Sequence, residues 1–346
     1  MKVRIFYAAN NSPDSEFQSN LWRQNLYSSL VDLGHDVVEF DYDLNETFRK
    51  LDPADPEQRA FIAENRPKLT EELLRQVRRA DKVAKVDLFF SYFYNACVQP
   101  EAIDAIRSLG ITTVNWYCNG SYQLHLVAEI APHYDWCLVP EKARLEDYRA
   151  MGARPIYCQE AANPRVYRHY NLPVEYDVTF VGQAYGDRPA YIRYLIDRGI
   201  DVRVWGRGWP PAPVAPANGV YGGGILSDEE LIKMYSRARI NLGFSTCGET
   251  HRGSERILQV RLRDFEVPMS GGFYMVEYME ELQEFYEIGK EIVCYSDRED
   301  LAEKIIYYLS HEPEREAIRR AGQQRCLRDH TWQKRFETAF KQMGLS

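Results

Sequence analysis

KVRIFYAANNSPDSEFQSNLWRQNLYSSLVDLGHDVVEFD, residues 2–41, is the stretch from which the fold is read. Lys2–Ala9 is a short apolar run, expected as a strand, and it opens onto the polar Asn10-Asn11-Ser12-Pro13. Leu21, Trp22, Leu26 and Leu30 recur at helical spacing up to Gly34, and His35–Asp41 reads as a second strand. Strand, helix and strand in that order form a β-α-β unit, which implies a parallel sheet. Ligands meet such a sheet at the carboxyl ends of its strands, so Asn10, Asn11 and Ser12 are expected to face a cleft.

The alternation continues outward from there. Residues 44–86 are charged and helical, broken at DPADPEQ, with Leu69, Leu73 and Val77 on one face; they read as an insertion packed on the outside. Val86–Tyr94, Ile111–Tyr117, Asp135–Val139 and Pro155–Gln159 read as strands, with helices at Pro100–Leu109, Leu124–Ile130 and Glu141–Met151. AANPRVYRHYNLP, residues 161–173, has no period and reads as a connection. Beyond it come strands at Tyr176–Val181, Ile200–Trp205 and Ile240–Phe244 and a helix at Tyr191–Arg198, with a proline- and glycine-rich loop at 210–224. Ser227 with Glu230, and Ser296 with Glu299, have capping-box spacing, and Thr331 is placed to cap a last helix carrying Trp332, Phe336 and Phe340. The expected fold is α/β with mostly parallel sheets. Its first domain spans 1–165 and its second 174–325, and a terminal helix within 326–346 reaches back to the first.

Composition narrows the function. The chain has 346 residues, 45% of them apolar, enough for two cores. Its formal charge of −8, with both signs interleaved and no basic run, argues against nucleic acid as a partner. Seven cysteines are scattered singly without a CxxC pair, as in a reducing compartment. MKVRIFYAAN is too short an apolar run for a secretion signal, and no window approaches 18 apolar residues, so a cytoplasmic protein without an integral membrane segment is expected. The histidines never pair at ligand spacing, so no metal and no cofactor is expected. GxxxxGK[ST] and GxSxG are absent, which removes the P-loop and serine-hydrolase readings.

Three places carry candidate chemistry. In VRLRDFEVPMSGGFYMVEYMEELQEFYEIGKE, residues 260–291, Arg261 and Arg263 are followed by Glu266 one turn on and by Gly271-Gly272-Phe273. Guanidinium forks grip phosphate, a carboxylate accepts from sugar hydroxyls, and glycines admit a ligand to the backbone. The same residues also suit an exposed helix with an i,i+3 ion pair and a glycine stop, and both readings stay open. Gly182-Gln183 after a strand, with Arg188, is an arrangement that holds a diphosphate, and Gly206-Arg207 repeats the theme at the next strand end.

The run from Leu262 to Phe336 beginning LRDFEVPMSGGFYMVEYMEELQEFYEIGKEIVCYSDRED, together with YDVTFVGQAYGDR, DVRVWGRGW and NWYCNGSYQLHLVAEIAPHYDW, resembles the glycosyltransferases grouped with the spore maturation protein CgeB. These are similar in turn to the family 4 glycosyltransferases. The resemblance covers about Asp87 to Phe336 and implies a GT-B fold, two Rossmann-like domains facing a central cleft. It implies a nucleotide-sugar donor on the second domain and an acceptor, whether glycan, protein or small molecule, mainly on the first. By the same resemblance Glu266 binds the ribose, Arg188 meets the diphosphate, and Gly271, Gly272 and Phe273 lie near the donor phosphates and sugar. Arg263 joins this set by its spacing to Glu266. The implied activity is a metal-independent hexosyl transfer, with His125, Asp135 and Asn119 as candidates on the acceptor side. Two departures stand out: Leu258 occupies the place of an earlier glutamate, and Asn119-Gly120 follow the Asn-Trp strand where relatives carry acidic residues. They keep in view a GT-B-shaped binding module without catalysis that recognises a nucleotide or glycan; a non-hydrolysing sugar-nucleotide epimerase, which shares the fold, is a further alternative.

Overall fold

A computed structural model describes residues 2–10, 19–209, 221–246 and 256–345. The opening stretch forms the expected unit. Its strands β1 (Arg4–Ala8) and β2 (Asp36–Glu39) pair in parallel, Ile5 opposite Val37, with a helical segment between them that starts as a π turn at Arg23–Tyr27 and continues as Ser28–Asp32. Asn10 follows β1, and Asn11 and Ser12 lie outside the described residues.

The chain divides into two units, Met1–Gln159 with Trp332–Ser346, and Glu160–Thr331. In unit 1, β3 (Leu88–Ser91), β4 (Thr112–Trp116), β5 (Trp136–Val139) and β6 (Pro155–Tyr157) complete a six-stranded sheet in the order β2-β1-β3-β4-β5-β6. All of its pairs are parallel. Ile5, Phe6, Phe89, Phe90, Val114 and Leu138 are buried on it, as the runs of apolar and β-branched residues require of a sheet covered on both faces. The expected insertion contains a 3-10 turn at Thr47–Arg49 and a long helix, Pro56–Val83, capped by Asp55, whose side chain accepts from the N–H groups of Glu57 and Gln58. That helix buries Leu69, Leu73 and Val77.

Unit 2 repeats the plan. β7 (Tyr176–Val181), β8 (Val202–Trp205), β9 (Tyr221–Gly223), β10 (Ala238–Gly243), β11 (Tyr274–Glu277) and β12 (Val293–Tyr295) lie in the order β12-β11-β10-β7-β8-β9, again all parallel. Val178, Phe180, Val204, Ile240, Leu242 and Met275 form its core with Leu301 and Ile305 of the helix Arg298–Ser310. Strand order reverses between β7 and β10, and their carboxyl ends therefore flank the crevice where an open α/β sheet takes its ligand.

Several boundaries differ from expectation for physical reasons. The units meet at 159/160 and 331/332 rather than within 165–174 and at 325/326. Residues after Glu160 are tied to unit 2: Ala162 N–H donates to His330 O, Tyr167 OH to Glu266 and Tyr170 N–H to Ser236 Oγ. The helix Glu312–Asp329 also stays there, with Arg319 donating to Gly271 O and Arg325 to Phe285 O. The last helix, Trp332–Met343, belongs to unit 1, where Trp332 packs on Trp116 and Phe336 on Phe90. Ser227 caps its helix as expected, but the second cap is Asp297 rather than Ser296, its carboxylate accepting from Asp300 N–H at 2.8 Å. Leu124–Ile130 is one 3-10 turn, Leu124–Leu126, followed by turns, not an α-helix.

Candidate functional site

The carboxyl edge of the unit 2 sheet is built on the loop after β7. Gly182 N–H donates to Trp205 O and Ala184 N–H to Arg207 O, both at 2.8 Å, so this loop and the one after β8 continue the ladder past the strands. Trp209 Nε1 closes on Gly182 O at 2.8 Å. The glycine turn therefore spends two of its backbone donors on its neighbour, which corrects the expectation that Gly182 presents them to a diphosphate. Gly206 is what allows the approach. Its φ is +127°, and a Cβ there would stand 2.3 Å from Gly182 O. Gly206→Ala is expected to lower unfolding free energy by more than about 2 kcal/mol, from the backbone conformation and the steric clash together, readable as a fall in urea midpoint.

Arg188 opens the helix Arg188–Asp197 directly after this loop. It is 5% exposed, its guanidinium carbon lies 3.8 Å from the centre of the Tyr185 ring, and the rings of Phe180 and Phe244 stand 5.3 and 5.6 Å away. Nη1 donates to Gln183 O at 3.1 Å and Nη2 to Tyr185 OH at 2.6 Å, while Nε is buried without a partner. Among the described residues no carboxylate pairs with it. Burial consequently pushes its pKa down to about 10, with the nearby guanidinium groups of Arg261 and Arg263 adding to the effect. Tyr185 OH also accepts from Arg261 Nη1 at 2.9 Å and donates to Thr246 O at 3.4 Å, joining the ends of β7 and β10. Two guanidinium groups thus converge on one hydroxyl at the switch point.

A second cluster borders them. Arg256 reaches Asp187 at 2.8 Å, Glu277 at 2.5 Å and Thr246 Oγ1 at 3.0 Å, and Glu277 also accepts from Ser245 N–H at 3.1 Å. Burial raises the Glu277 pKa, opposed by Arg256.

Glu266 lies on the helix Arg263–Met269 and is 2% exposed. Its Oε1 accepts from Tyr167 OH at 2.6 Å, and its Oε2 accepts from Tyr235 OH at 3.5 Å and stands 3.6 Å from Arg263 Nε. Arg263 also donates to Tyr235 OH. Burial raises the carboxyl pKa against the pull of Arg263. The structure therefore brings Arg263 and Glu266 together, and it seals the carboxylate under two tyrosines.

Gly271, Gly272 and Phe273 are a correction. They come immediately before β11 and so sit at the amino edge of a parallel sheet, the end opposite to Gly182, Gln183, Gly206 and Arg207. Gly271, at φ +71°, ends the helix, with its N–H on Pro268 O and that of Gly272 on Val267 O. Phe273 is buried in the core against Tyr308. The glycine-stop half of the two open readings describes this turn.

In unit 1, Asn10 follows β1 and donates to Asn45 Oδ1 at 2.9 Å. Asn119 follows β4 and accepts from Tyr122 OH at 3.0 Å, and His125 is exposed in a turn at 124–126. Asp135 precedes β5 and lies at the amino edge, where Arg107 Nε and both donors of Thr113 occupy its oxygens at 2.9–3.1 Å. This bracing role replaces the catalytic one expected of it. The side chains of Tyr185, Arg256 and Glu277 went unread in the sequence, whereas Arg261 was read there with Arg263 as a guanidinium suited to phosphate. Among the described residues no three His, Cys, Asp or Glu side chains gather as metal ligands, and no helix is long and apolar enough to cross a membrane.

Comparison with known proteins agrees with this architecture. Residues 188–341 match the family model described as glycosyl transferase-like. No curated protein matches the chain. Sucrose-phosphate synthase from Thermosynechococcus elongatus superposes with a TM-score of 0.61 at 13% identity, covering 99% of both chains. Anabaena Alr3699/HepE in complex with UDP and glucose gives 0.61 at 11% identity, again over 99% of both. AviGT4, a glycosyltransferase of avilamycin A biosynthesis, gives 0.58 at 16% identity over 97% of this chain and 96% of its own. The chain accordingly has the GT-B fold, two units each with a six-stranded parallel sheet, and its region 188–341 matches a glycosyl transferase-like family model.

Proposed function

We propose that this protein is a glycosyltransferase whose unit 2 holds the diphosphate of a nucleotide sugar between Arg188 and Arg261. The observation that carries the reading is Arg188, a buried cation with no carboxylate partner at the switch point of a parallel sheet. An unpaired buried charge is costly, so a site that keeps one is built for an anion. Arg188 and Arg261 supply positive charge where the leaving diphosphate gains negative charge, and the reaction proceeds on this reading without a metal. UDP is the first nucleotide to test, because HepE has been solved with UDP and with UDP-glucose. The transferred sugar is then a hexose.

Glu266 reaches the ribose hydroxyls only when Tyr167 gives up its hydrogen bond. Leu258, half-buried where the resemblance asks for a carboxylate, favours a second reading in which the donor is bound without turnover. Calorimetric titration with UDP, UDP-glucose, GDP and dTDP decides the first point, with saturable UDP binding expected. Heat from none of the four overturns the reading, and binding of UDP-glucose without release of glucose in any acceptor screen moves it to the second.

A further inference from the structure

Glu141 follows β5 through Pro140 and stands at the carboxyl edge of the unit 1 sheet, next to the end of β4. It is 5% exposed, and neither carboxylate oxygen closes a hydrogen bond. Among the described residues no lysine or arginine pairs with it. Arg144, whose charge acts on the carboxyl, gives Nη1 to Asp147 at 2.9 Å and Nη2 to Ser121 O at 2.7 Å. The other titratable groups around the carboxyl are Tyr117 of β4 and Tyr148 of the helix Leu145–Ala150, the latter with a buried hydroxyl that also lacks a partner.

What covers this carboxyl is the segment Asn119–Gln123. Burial raises the carboxyl to about 7, against the N–H groups of Glu141 itself, Ser121 and Gly120, which face the oxygens, and the charge of Arg144, all of which favour the charged form. Gly120 lets the segment lie this close, since a Cβ there would stand 3.2 Å from Glu141 Oε2. Asn119 does not cap the short helix Gly120–Gln123 with its side chain. Arg144 on Ser121 O and Tyr117 OH on Gln123 O at 2.9 Å also touch the segment.

We propose that Glu141 is a latch on the segment Asn119–Gln123, shut while the side chain is a neutral acid and released when it is a carboxylate. The physical reason is that the closed geometry buries the charge with no hydrogen bond closed on either oxygen. Arg144, the cation acting on it, is already engaged by Asp147 and Ser121 O, and the cheapest relief is to lift the segment and hydrate the group. The sign follows from linkage. A carboxyl at 4.5 when exposed and about 7 when closed stabilises the closed form fully below pH 4.5 and loses that contribution as pH rises to about 7. The acceptor-side edge carrying Asn119 is therefore closed in acid and openable at neutral pH. Its consequence for transfer rests on the glycosyltransferase reading; the latch itself does not.

The test is hydrogen exchange of the full chain between pH 4.5 and 8, followed by mass spectrometry on peptides spanning 117–126 and corrected for the intrinsic rate. Protection in the unaltered protein is expected to fall by up to about tenfold per pH unit between pH 5 and 7 and to level off above. Glu141→Gln should abolish that fall, and it should melt several degrees above the unaltered protein at pH 7.5 but level with it at pH 4.5. Glu141→Met, neutral and similar in length, should behave as Glu141→Gln does. Protection independent of pH in the unaltered protein, the same fall in Glu141→Gln, or unfolding of both variants would each overturn the latch. A parallel UDP titration separates the two ideas: failure to bind UDP removes the transfer reading and leaves the exchange result standing.

Discussion

Arg188→Met is expected to weaken UDP binding at least about a hundredfold while leaving the fold in place. The guanidinium lies under Tyr185 at the end of β7, and its Nε has no partner. Hydrogen bonds between a cation and an anion contribute roughly 1.5–3 kcal/mol each, and two contacts from one side chain to a diphosphate amount to about 3–6 kcal/mol. Every 1.4 kcal/mol is about a factor of ten, so the loss is measurable by calorimetry even where native affinity is micromolar. Stability should move far less. Methionine loses the stacking on Tyr185, Phe180 and Phe244 and the bonds to Gln183 O and Tyr185 OH, but it removes a buried cation with no counter-charge. The net change in the free protein is expected within about 2 kcal/mol in urea. Undiminished UDP binding by a folded Arg188→Met protein would refute the phosphate site.

Glu266→Ala should do the reverse and damage the fold first. The substitution deprives Tyr167 and Tyr235 of their acceptor and leaves Arg263 beside them without its carboxylate. Breaking a buried pair by removing one partner costs about 3–5 kcal/mol, a large share of the stability of an ordinary domain. Glu266→Gln keeps the acceptor oxygen and the side-chain shape, and its expected cost is about 1–2 kcal/mol. A ribose contact should therefore be judged on the glutamine variant, with UDP and deoxyribose nucleotides compared. An alanine variant as stable as the unaltered chain would show that Glu266 is not sealed in solution as the structure has it.

How the two charged positions read in sequence differs for a physical reason. Arg188 was legible because a strand, a glycine turn and a cation are local, and locality survives into the fold. The turn's donors were misjudged because Trp205 and Arg207, which accept from it, come from another strand. Asp135, a candidate on the acceptor side, is instead taken up by Thr113 of β4 and by Arg107 of the helix Pro100–Arg107, both distant from it in the chain. The glycine pair at 271–272 shows the same limit. Spacing places it two turns after Arg263, but only a parallel sheet makes that distance carry it to the edge opposite Arg188.

The sequence by itself determined the alternation of strands and helices, the two-unit α/β architecture and the stretch holding Arg263 and Glu266, because hydrophobic period and turn chemistry act over a few residues. The tertiary structure alone decided which side chains share an environment: Arg188 with Arg261 through Tyr185, Glu266 under Tyr167, and Glu141 beneath Gly120. Burial and desolvation depend on neighbours distant in the chain, and it is these that set whether a charge is paired, sealed or left seeking a ligand.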